Sequence, residues 1–240
     1  MFALITGASR GIGKACAEEF AKHGVNLVLV CKNNIELLNE TSRELRNYGI
    51  TCHTMATDVS DVKQVEKLFE ALELLNIHID ILINNAGISH VGLFQDMEYE
   101  EWHQVIDTNL SSVFYMCKNI IPAMIKKGSG RIINISSVWG EVGASMEVAY
   151  SASKGALISF SKALAKELAP SNIQVNALSF GAIDTEMNNH LSADEKRELI
   201  SEIPSCRMGT ALEAAKLVYD IATTSSYLTG ANVRMDGAWI

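Results

Sequence analysis

The sequence has few prolines, few cysteines and no long apolar run, and each shortage excludes a class of protein. Three prolines occur in 240 residues, and no Pro-, Gly- and Ser-rich linker divides the chain, so we predict one domain spanning residues 1–240. The five cysteines never form the paired spacing of a zinc or redox site, which predicts no metal centre and a reducing, cytoplasmic location. No apolar run approaches the ~18 residues of a membrane span.

Positive charge is also scarce. The chain carries 20 Lys and Arg against 28 Asp and Glu, a net charge of −8. A field of this sign repels nucleic acid and anionic membrane surfaces, so we expect neither as a partner. It also opposes anionic ligands, and a bound anion would therefore need positive charge at its own site.

The chain does contain a regular alternation of short apolar runs and longer stretches of helical period. The apolar runs predict buried strands at Phe2–Thr6, Asn26–Cys31, Thr51–Ala56, Ile79–Asn84, Arg131–Ser136, Ile173–Leu178 and Asn232–Met235. The helical stretches between them are Ile12–His23, Ile35–Tyr48, Val62–Leu75, Glu100–Lys126 and Tyr150–Leu168. This alternation predicts an α/β protein with a doubly wound Rossmann fold, in which a seven-stranded parallel sheet carries helices on both faces.

Three glycines mark the first turn from strand to helix. Gly7, Gly11 and Gly13 follow the first strand at G-x-x-x-G-x-G spacing. Without Cβ atoms they let the backbone turn sharply and approach a pyrophosphate, while the helix N-terminus supplies unpaired N–H donors and positive potential. The alternative is a merely tight turn, but the coincidence of spacing, strand and helix favours a dinucleotide site.

The ribose end of such a site decides between NAD and NADP. A carboxylate there accepts hydrogen bonds from the 2′-hydroxyl of NAD, whereas a cation favours the 2′-phosphate of NADP. The second strand is followed by Lys32 and Asn33 without an acid, and Arg10 lies in the Gly-rich turn. We therefore expect NADP(H) as the cofactor, the alternative being that Lys32 is only a solvated surface lysine.

Tyr150 and Lys154 lie one turn apart on the same face of a predicted helix. A free tyrosine titrates near pH ~10, and a neighbouring cation lowers that pKa toward the range useful for acid/base chemistry. Helices also carry such pairs by chance. Ser136 and Ser137 end the fifth predicted strand, where one hydroxyl could meet Tyr150 and hold a substrate oxygen, although hydroxyls also cap turns locally.

In combination, these motifs resemble the short-chain dehydrogenase/reductase family over nearly the whole chain. Thr6–Gly13 matches the family's TGxxxGxG turn, and Tyr150–Lys154 matches its YxxxK motif. Asp58-Val59 resembles the family's adenine-contact site, and Asn84–Gly87 resembles its NNAG motif. The resemblance implies an NADPH-dependent oxidoreductase that passes a hydride between the nicotinamide and a carbonyl or secondary alcohol, with Tyr150 as the acid/base at the oxygen.

The resemblance also implies roles for single residues. Ser137, thirteen residues before the tyrosine, would orient the substrate, and Asn109 would hold a water in a proton relay behind Lys154, unless it is an ordinary polar helix position. Lys154 would lower the pKa of Tyr150 and bind the nicotinamide ribose. The expected catalytic residues are Asn109, Ser137, Tyr150 and Lys154. The expected cofactor contacts are Gly7, Ala8, Ser9, Arg10, Gly11, Ile12, Gly13, Lys32, Asp58, Val59, Asn85, Ala86, Gly87, Tyr150, Lys154, Ile183 and Thr185.

The chain departs from the family pattern in two places. Phe180 stands where a proline is usual, which predicts altered loop geometry without loss of cofactor binding. The tail has Gly237-Ala238 where Gly-Gly is usual. In relatives this tail and the helices that here start at Glu100 and Tyr150 lie at subunit interfaces, which implies a homotetramer. Trp239 and Ile240 could instead belong to the core of their own chain.

The substrate is less well defined than the reaction. The Gly-rich turn and the cationic ribose end most resemble 3-oxoacyl-[acyl-carrier-protein] reductases of fatty acid biosynthesis, but Gly128 and Ser171 stand where carrier-dependent relatives tend to have arginines. Reduction of another ketone, sugar or alcohol stays open, as does a catalytically silent NADP-binding sensor or scaffold. Either a small molecule or a carrier-linked carbonyl compound is expected, beneath a lid at residues 185–204 that contains the charged helical stretch Ala193–Glu202.

Overall fold

A computed structural model describes residues 1–189 and 191–240 of the chain. The strands are β1 (Phe2–Thr6), β2 (Asn26–Cys31), β3 (Cys52–Ala56), β4 (Ile81–Asn84), β5 (Gly130–Ser137), β6 (Ile173–Phe180), β7 (Ile183–Asp184), β8 (Gly209–Thr210) and β9 (Asn232–Met235). Seven of them form one parallel sheet in the order β3-β2-β1-β4-β5-β6-β9. The predicted seven-stranded parallel sheet is confirmed, and β7 and β8 form an additional small parallel pair.

Helices cover both faces of this sheet. They are α1 (Gly11–Lys22), α2 (Ile35–Leu45), α3 (Val62–Leu74), α4 (Tyr99–Ile106), α5 (Ser112–Lys127), α6 (Trp139–Val142), α7 (Val148–Leu168), α8 (Ala193–Glu202) and α9 (Ala211–Thr223). Across residues 1–189 and 191–240, no helix is both long and apolar enough to cross a membrane.

Strand β1 shows why both faces are covered. Ala3 and Ile5 pack in a core with α1, α2 and α9, whereas Leu4 packs in a second core with α3, α5 and α7. Successive side chains of a strand point to opposite faces, so a continuous apolar run such as this one must be buried on both. Because apolar and polar residues do not alternate along β1, helices must cover both faces of the sheet, as they do in the doubly wound architecture.

Helix α9 was not predicted from the sequence, although the signal for it is present. Thr210 and Glu213 form a capping box at its start, the reciprocal pairing that marks a helix N-terminus. Its buried face packs beside α1, where the rings of Phe20 and Tyr219 meet edge to face with centroids 5.1 Å apart. The helix fills the sheet face between α1 and the last strand.

The stretch predicted as one helix, Glu100–Lys126, contains a turn of different geometry. Residues Asp107–Ser111 form a π-helical turn between α4 and α5, in which hydrogen bonds span five residues instead of four. Asn109 lies in the middle of this turn and is buried. The local widening of the helix therefore falls at a residue for which the family resemblance predicts a catalytic role.

A buried chain of amide and hydroxyl groups fixes α7 to the sheet. The Nδ2 of Asn84 donates to Oδ1 of Asn134 at 2.8 Å, and Nδ2 of Asn134 donates to Oγ of Ser161 at 2.8 Å. Ser161 in turn donates to the carbonyl of Leu157, one turn earlier in α7. Because unpaired buried polar groups are costly, this network holds α7 in one register over β4 and β5.

Candidate active site

A cleft lies at the carboxyl ends of the central strands. It has a volume of about 820 Å³, within the range of small-molecule and cofactor sites. The strand order reverses between β1 and β4, and in open parallel sheets ligands bind beyond the strand ends at this point. Most of the predicted catalytic and cofactor residues line this cleft.

The Gly-rich turn has the shape that a dinucleotide pyrophosphate requires. Gly7 and Gly11 have φ of +64° and +54°, which side-chain-bearing residues rarely adopt. A Cβ on Gly13 would lie 2.3 Å from the carbonyl oxygen of Gly7, and one on Gly7 would lie 2.9 Å from Cα of Ala86. The first turn of α1 carries no acidic side chain of its own, so the glycines and the helix N-terminus fit an anionic group. Oε2 of Glu186 lies 3.6 Å from the position of a Cβ on Gly11, so one carboxylate borders this end of the cleft.

Thr6 and Asn85 hold the two sides of the crevice together. The hydroxyl of Thr6 accepts from the backbone N–H groups of Asn85 and Ala86, both at 3.0 Å. Nδ2 of Asn85 donates to the carbonyls of Thr6 and Gly7 at 2.9 and 3.1 Å. Asn85 thus supports the Gly-rich turn directly, and Thr6 is a supporting residue whose role the sequence motif did not specify.

The ribose end contains an ion pair that the sequence did not predict. Nζ of Lys32 lies 2.7 Å from Oδ2 of Asp58. Burial raises the pKa of Asp58, but hydrogen bonds from Lys32 and Ser60 outweigh it and hold that pKa below its ordinary value. As expected, no acidic residue directly follows β2, but the loop after β3 places the carboxylate of Asp58 beside Lys32. Lys32 is therefore more than a freely solvated surface residue.

Tyr150 and Ser137 meet in the cleft. Tyr150 lies in the first turn of α7, which begins two residues earlier than predicted, and Ser137 ends β5. The pKa of Tyr150 is raised to about 12, mainly because the phenol is buried. A hydrogen bond with Ser137 lowers this pKa, and the negative charge of Glu147 raises it further. The hydroxyl of Ser136 donates instead to the carbonyl of Lys154 at 2.9 Å. Ser137, and not Ser136, is thus the hydroxyl beside the tyrosine.

Lys154 is buried behind Tyr150. Its Nζ lies 5.6 Å from the centroid of the Tyr150 ring and donates to the carbonyl of Ile135 at 2.8 Å. Burial lowers the pKa of Lys154 from 10.5 to about 8. The pKa of Tyr150 itself rises, because burial of the phenol is its largest cause, and a lowering of that pKa by Lys154 stays a prediction.

This burial predicts a stability cost at Lys154. The substitution Lys154→Met should raise the free energy of unfolding at pH 7 by about 2 kcal/mol. Lowering the pKa of the lysine from 10.5 to about 8 corresponds to a penalty of about 3 kcal/mol, which methionine removes. Loss of the hydrogen bond to the Ile135 carbonyl offsets about 1 kcal/mol of this gain. The lysine penalty is fully present below pH 8 and vanishes by pH 10.5, so the advantage of methionine should shrink over that interval. Denaturant unfolding at several pH values measures it.

Lys162→Met is the matched control, because Lys162 is an exposed lysine on the same helix. It should change the free energy of unfolding little and independently of pH in this range. Destabilisation by Lys154→Met at pH 7 would contradict the predicted cost.

Asn109 lies beside Lys154, and its side-chain amide bonds to the backbone of Ile88 and to Ser153. Its Oδ1 accepts from the N–H of Ile88 at 2.8 Å, and its Nδ2 donates to the carbonyl of Ile88 at 2.8 Å and to Oγ of Ser153 at 3.0 Å. A Cβ on Gly87 would lie 3.3 Å from both Oδ1 of Asn109 and Nζ of Lys154. Asn109 thus fixes the loop after β4 against α7, and its role in holding a water stays a prediction.

Most of the predicted cofactor contacts line the cleft, and two do not. Those that line it are Gly7, Ser9, Arg10, Gly11, Ile12, Lys32, Asp58, Val59, Asn85, Ala86, Gly87, Tyr150, Lys154, Ile183 and Thr185. Ala8 is fully buried in the apolar core, and Gly13 packs against the Gly7 carbonyl. These two residues are positioned to support the turn rather than to face the cleft.

The two departures from the family pattern have defined positions. Phe180 is buried and extends β6 beyond the predicted end at Leu178, pairing with Ser137 and Met235. Its carbonyl accepts from the N–H of Val138 at 3.0 Å. Trp239 lines the cleft and meets Trp139 with ring centroids 4.7 Å apart. The tail thus contributes to the site of its own chain.

The predicted lid segment borders the same cleft. The predicted helix Ala193–Glu202 is confirmed as α8. Leu199 of this helix and Leu191, two residues before it, line the cleft. Residue 190 of the segment lies outside the described residues. Movement of this segment as a lid stays a prediction.

Comparison with known proteins agrees with this geometry. The profile of the short chain dehydrogenase family matches residues 1–196. The chain is 38% identical to 3-oxoacyl-[acyl-carrier-protein] reductase FabG of Escherichia coli strain K12 over 98% of this chain and 95% of the relative. It is 39% identical to uncharacterized oxidoreductase YmfI of Bacillus subtilis strain 168, over 99% and 98% of the two chains.

Solved structures show the same architecture. A putative gluconate dehydrogenase from Agrobacterium tumefaciens superimposes with a TM-score of 0.95 at 32% identity, covering 99% of this chain and 95% of the other. The fold and the cleft define a nucleotide-binding oxidoreductase. The chain belongs to the short-chain dehydrogenase/reductase family, whose members use NAD or NADP.

Proposed function

We propose that the protein is an NADPH-dependent reductase of carbonyl compounds, with 3-oxoacyl thioesters as the first candidate substrates. The observation that carries this proposal is the convergence of Ser137, Tyr150 and Lys154 in the cleft that the Gly-rich turn also borders. A silent sensor or scaffold would have no need of Ser137 and Tyr150 side by side in the cleft, so their meeting favours an enzyme.

The proposed mechanism divides the work between the cofactor and the protein. The nicotinamide supplies the hydride to the carbonyl carbon when it is bound. The Ser137 hydroxyl holds the substrate oxygen by a hydrogen bond, and Tyr150 donates its phenolic proton to that oxygen as negative charge develops there. A Tyr150 pKa of about 12 keeps the phenol protonated at neutral pH, which suits the reductive direction. Lys154 provides a nearby positive charge for the phenolate that remains.

The preference for NADPH rests on the ribose end. Lys32 and Arg10 are the described cations at that end of the cleft, and Arg10 is exposed. The side chain of Lys32 is 56% exposed, and its ion pair with Asp58 holds the ammonium group at the edge of the cleft. A 2′-phosphate can accept from Lys32 where a 2′-hydroxyl would gain less.

The substitution Lys32→Ala should reduce this preference. We expect the ratio of kcat/KM for NADPH over NADH to fall about tenfold, the loss of one charge-assisted hydrogen bond worth about 1.5 kcal/mol. Lys67→Ala is the control, because Lys67 is an exposed lysine on α3. A wild-type preference for NADH, or an unchanged ratio in Lys32→Ala, would contradict the assignment of NADP(H).

The substrate class is tested by direct turnover. Several relatives at 37–40% identity are named as 3-oxoacyl-[acyl-carrier-protein] reductases, which supports a thioester. NADPH oxidation followed with acetoacetyl thioesters, simple ketones and sugars should be fastest with the thioesters. Cofactor binding without oxidation across this panel would instead favour the sensor or scaffold.

We also propose a homotetramer in the cytoplasm. Phe114 of α5 and Val148 of α7 are exposed apolar side chains on the two helices expected at subunit contacts, and Val142 lies exposed just before α7. Light scattering coupled to gel filtration should give a mass near four times 26.2 kDa.

A further inference from the structure

The cleft is also lined by residues that the cofactor proposal does not use. We call this part of the cleft the substrate end and define it by its lining residues Trp139, Glu147, Met187, Leu191, Leu199 and Trp239. The two tryptophan rings form one wall, with centroids 4.7 Å apart. Apart from Glu147 these side chains are apolar. A carboxylate in such surroundings interacts strongly with any charge that enters.

Glu147 is fixed in position but its charge is not neutralised. Its Oε2 accepts a short hydrogen bond from the hydroxyl of Ser89, a neutral donor. Among the ion pairs of the described residues, none includes Glu147. Its charge raises the pKa of Tyr150, three residues later. The negative charge of Glu147 is therefore felt at the hydroxyl proposed to meet the substrate.

The other charges of the cleft do not offset it. Of the described cations that line the cleft, Arg10 and Lys32 lie at the cofactor end, and Lys154 is buried behind Tyr150. Besides Asp58 at the cofactor end, Glu186 and Glu195 also line the cleft as carboxylates. A substrate that carries its own carboxylate would approach the negative charge of Glu147, with no arginine or lysine from the described substrate end to pair with it.

We propose that Glu147 selects against carbonyl substrates that carry a carboxylate, so that the enzyme reduces neutral ketones, esters and thioesters. This inference rests on the proposed function and adds a specificity residue to it. Neutral substrates place only apolar and dipolar groups against Trp139 and Trp239, whereas an acid must bring an unpaired negative charge into a partly buried site. Discrimination of this kind works by repulsion of the wrong substrate.

The test compares two substrates with the same carbon skeleton around the ketone. Acetoacetate carries a carboxylate where ethyl acetoacetate carries a neutral ester. Wild-type protein should oxidise NADPH with a kcat/KM at least roughly tenfold higher for the ester, the effect of one like charge at a few ångströms in a partly exposed site. Glu147→Gln removes the charge while keeping the size and an oxygen that can accept from Ser89, and should reduce the ester-to-acid ratio by roughly tenfold or more.

Glu198→Gln is the matched control. Glu198 is an exposed carboxylate on α8 that is not among the residues lining the cleft, so this substitution should leave the ester-to-acid ratio unchanged. The inference is overturned if wild type reduces both compounds equally well or if Glu147→Gln leaves the ratio as it was. Failure of the wild type to reduce ethyl acetoacetate, acetoacetyl thioesters and simple ketones would overturn the proposed function itself, and this inference with it.

Discussion

The substitution Tyr150→Phe should lower kcat by about 10²–10⁴-fold, the usual contribution of a positioned general acid, and leave NADPH binding nearly intact. Phenylalanine fills the same space and removes only the hydroxyl that pairs with Ser137. The Gly-rich turn and the ribose end lie in other loops and keep their geometry. Steady-state NADPH oxidation measures the first effect, and quenching or enhancement of NADPH fluorescence measures the second.

Tyr227→Phe is the control for the loss of a phenolic hydroxyl, because Tyr227 is 97% exposed. It should change neither turnover nor NADPH binding. Retained turnover in Tyr150→Phe would contradict the assignment of the acid. Loss of NADPH binding together with turnover would show that the substitution disturbs the fold of the cleft instead of removing one chemical group.

The substitution Gly13→Ala should weaken NADPH binding at least about tenfold and destabilise the fold by about 1–3 kcal/mol, the usual cost of overpacking. Its Cβ would lie 2.3 Å from the Gly7 carbonyl oxygen and 2.6 Å from Nδ2 of Asn85. Since the first of these is backbone, the turn or the start of α1 must shift. Alanine favours a helix over glycine by about 1 kcal/mol, so a measured loss of stability would come despite that gain.

Gly24→Ala separates backbone strain from collision. Gly24 has φ of +73° and no atom within 4 Å of an added Cβ, so alanine there should cost about 1–2 kcal/mol through strain alone. Thermal unfolding would show a loss in both variants, while NADPH titration would show weakened binding only in Gly13→Ala. Normal NADPH affinity in a folded Gly13→Ala would contradict the close-packed turn.

The main sheet could be predicted because strands such as β1 and β2 are apolar on both faces. The run Asn26–Cys31 was placed without error, and β5 and β6 differ from the prediction by one or two residues at their ends. Those end residues pair with neighbours that are distant in sequence, as Phe180 pairs with Met235, and local patterns carry no information on such pairing. The two-residue strands β7 and β8 are invisible for the same reason.

Those parts of the site whose residues lie close together in the sequence could be predicted. Tyr150 and Lys154 share one helix, and Gly7 to Gly13 share one turn, so spacing alone indicates their proximity. The ion pair of Lys32 with Asp58 depends on the relative placement of β2 and β3. The meeting of Glu147 with Ser89 joins α7 to the loop after β4. Contacts between distant segments, and the pKa changes that burial produces, appear only in the folded chain.

The π turn at residues 107–111 has a consequence for how the chain can be compared with its relatives. A regular helix rotates by about 100° per residue, so the one residue accommodated by the bulge decides which side chain faces Ile88. A relative shorter by one residue here would resume ordinary helical register and direct Asn109 away from the loop after β4. A single-residue gap within this segment of an alignment would therefore mark a homologue whose site is assembled differently, even where its tyrosine and lysine are retained.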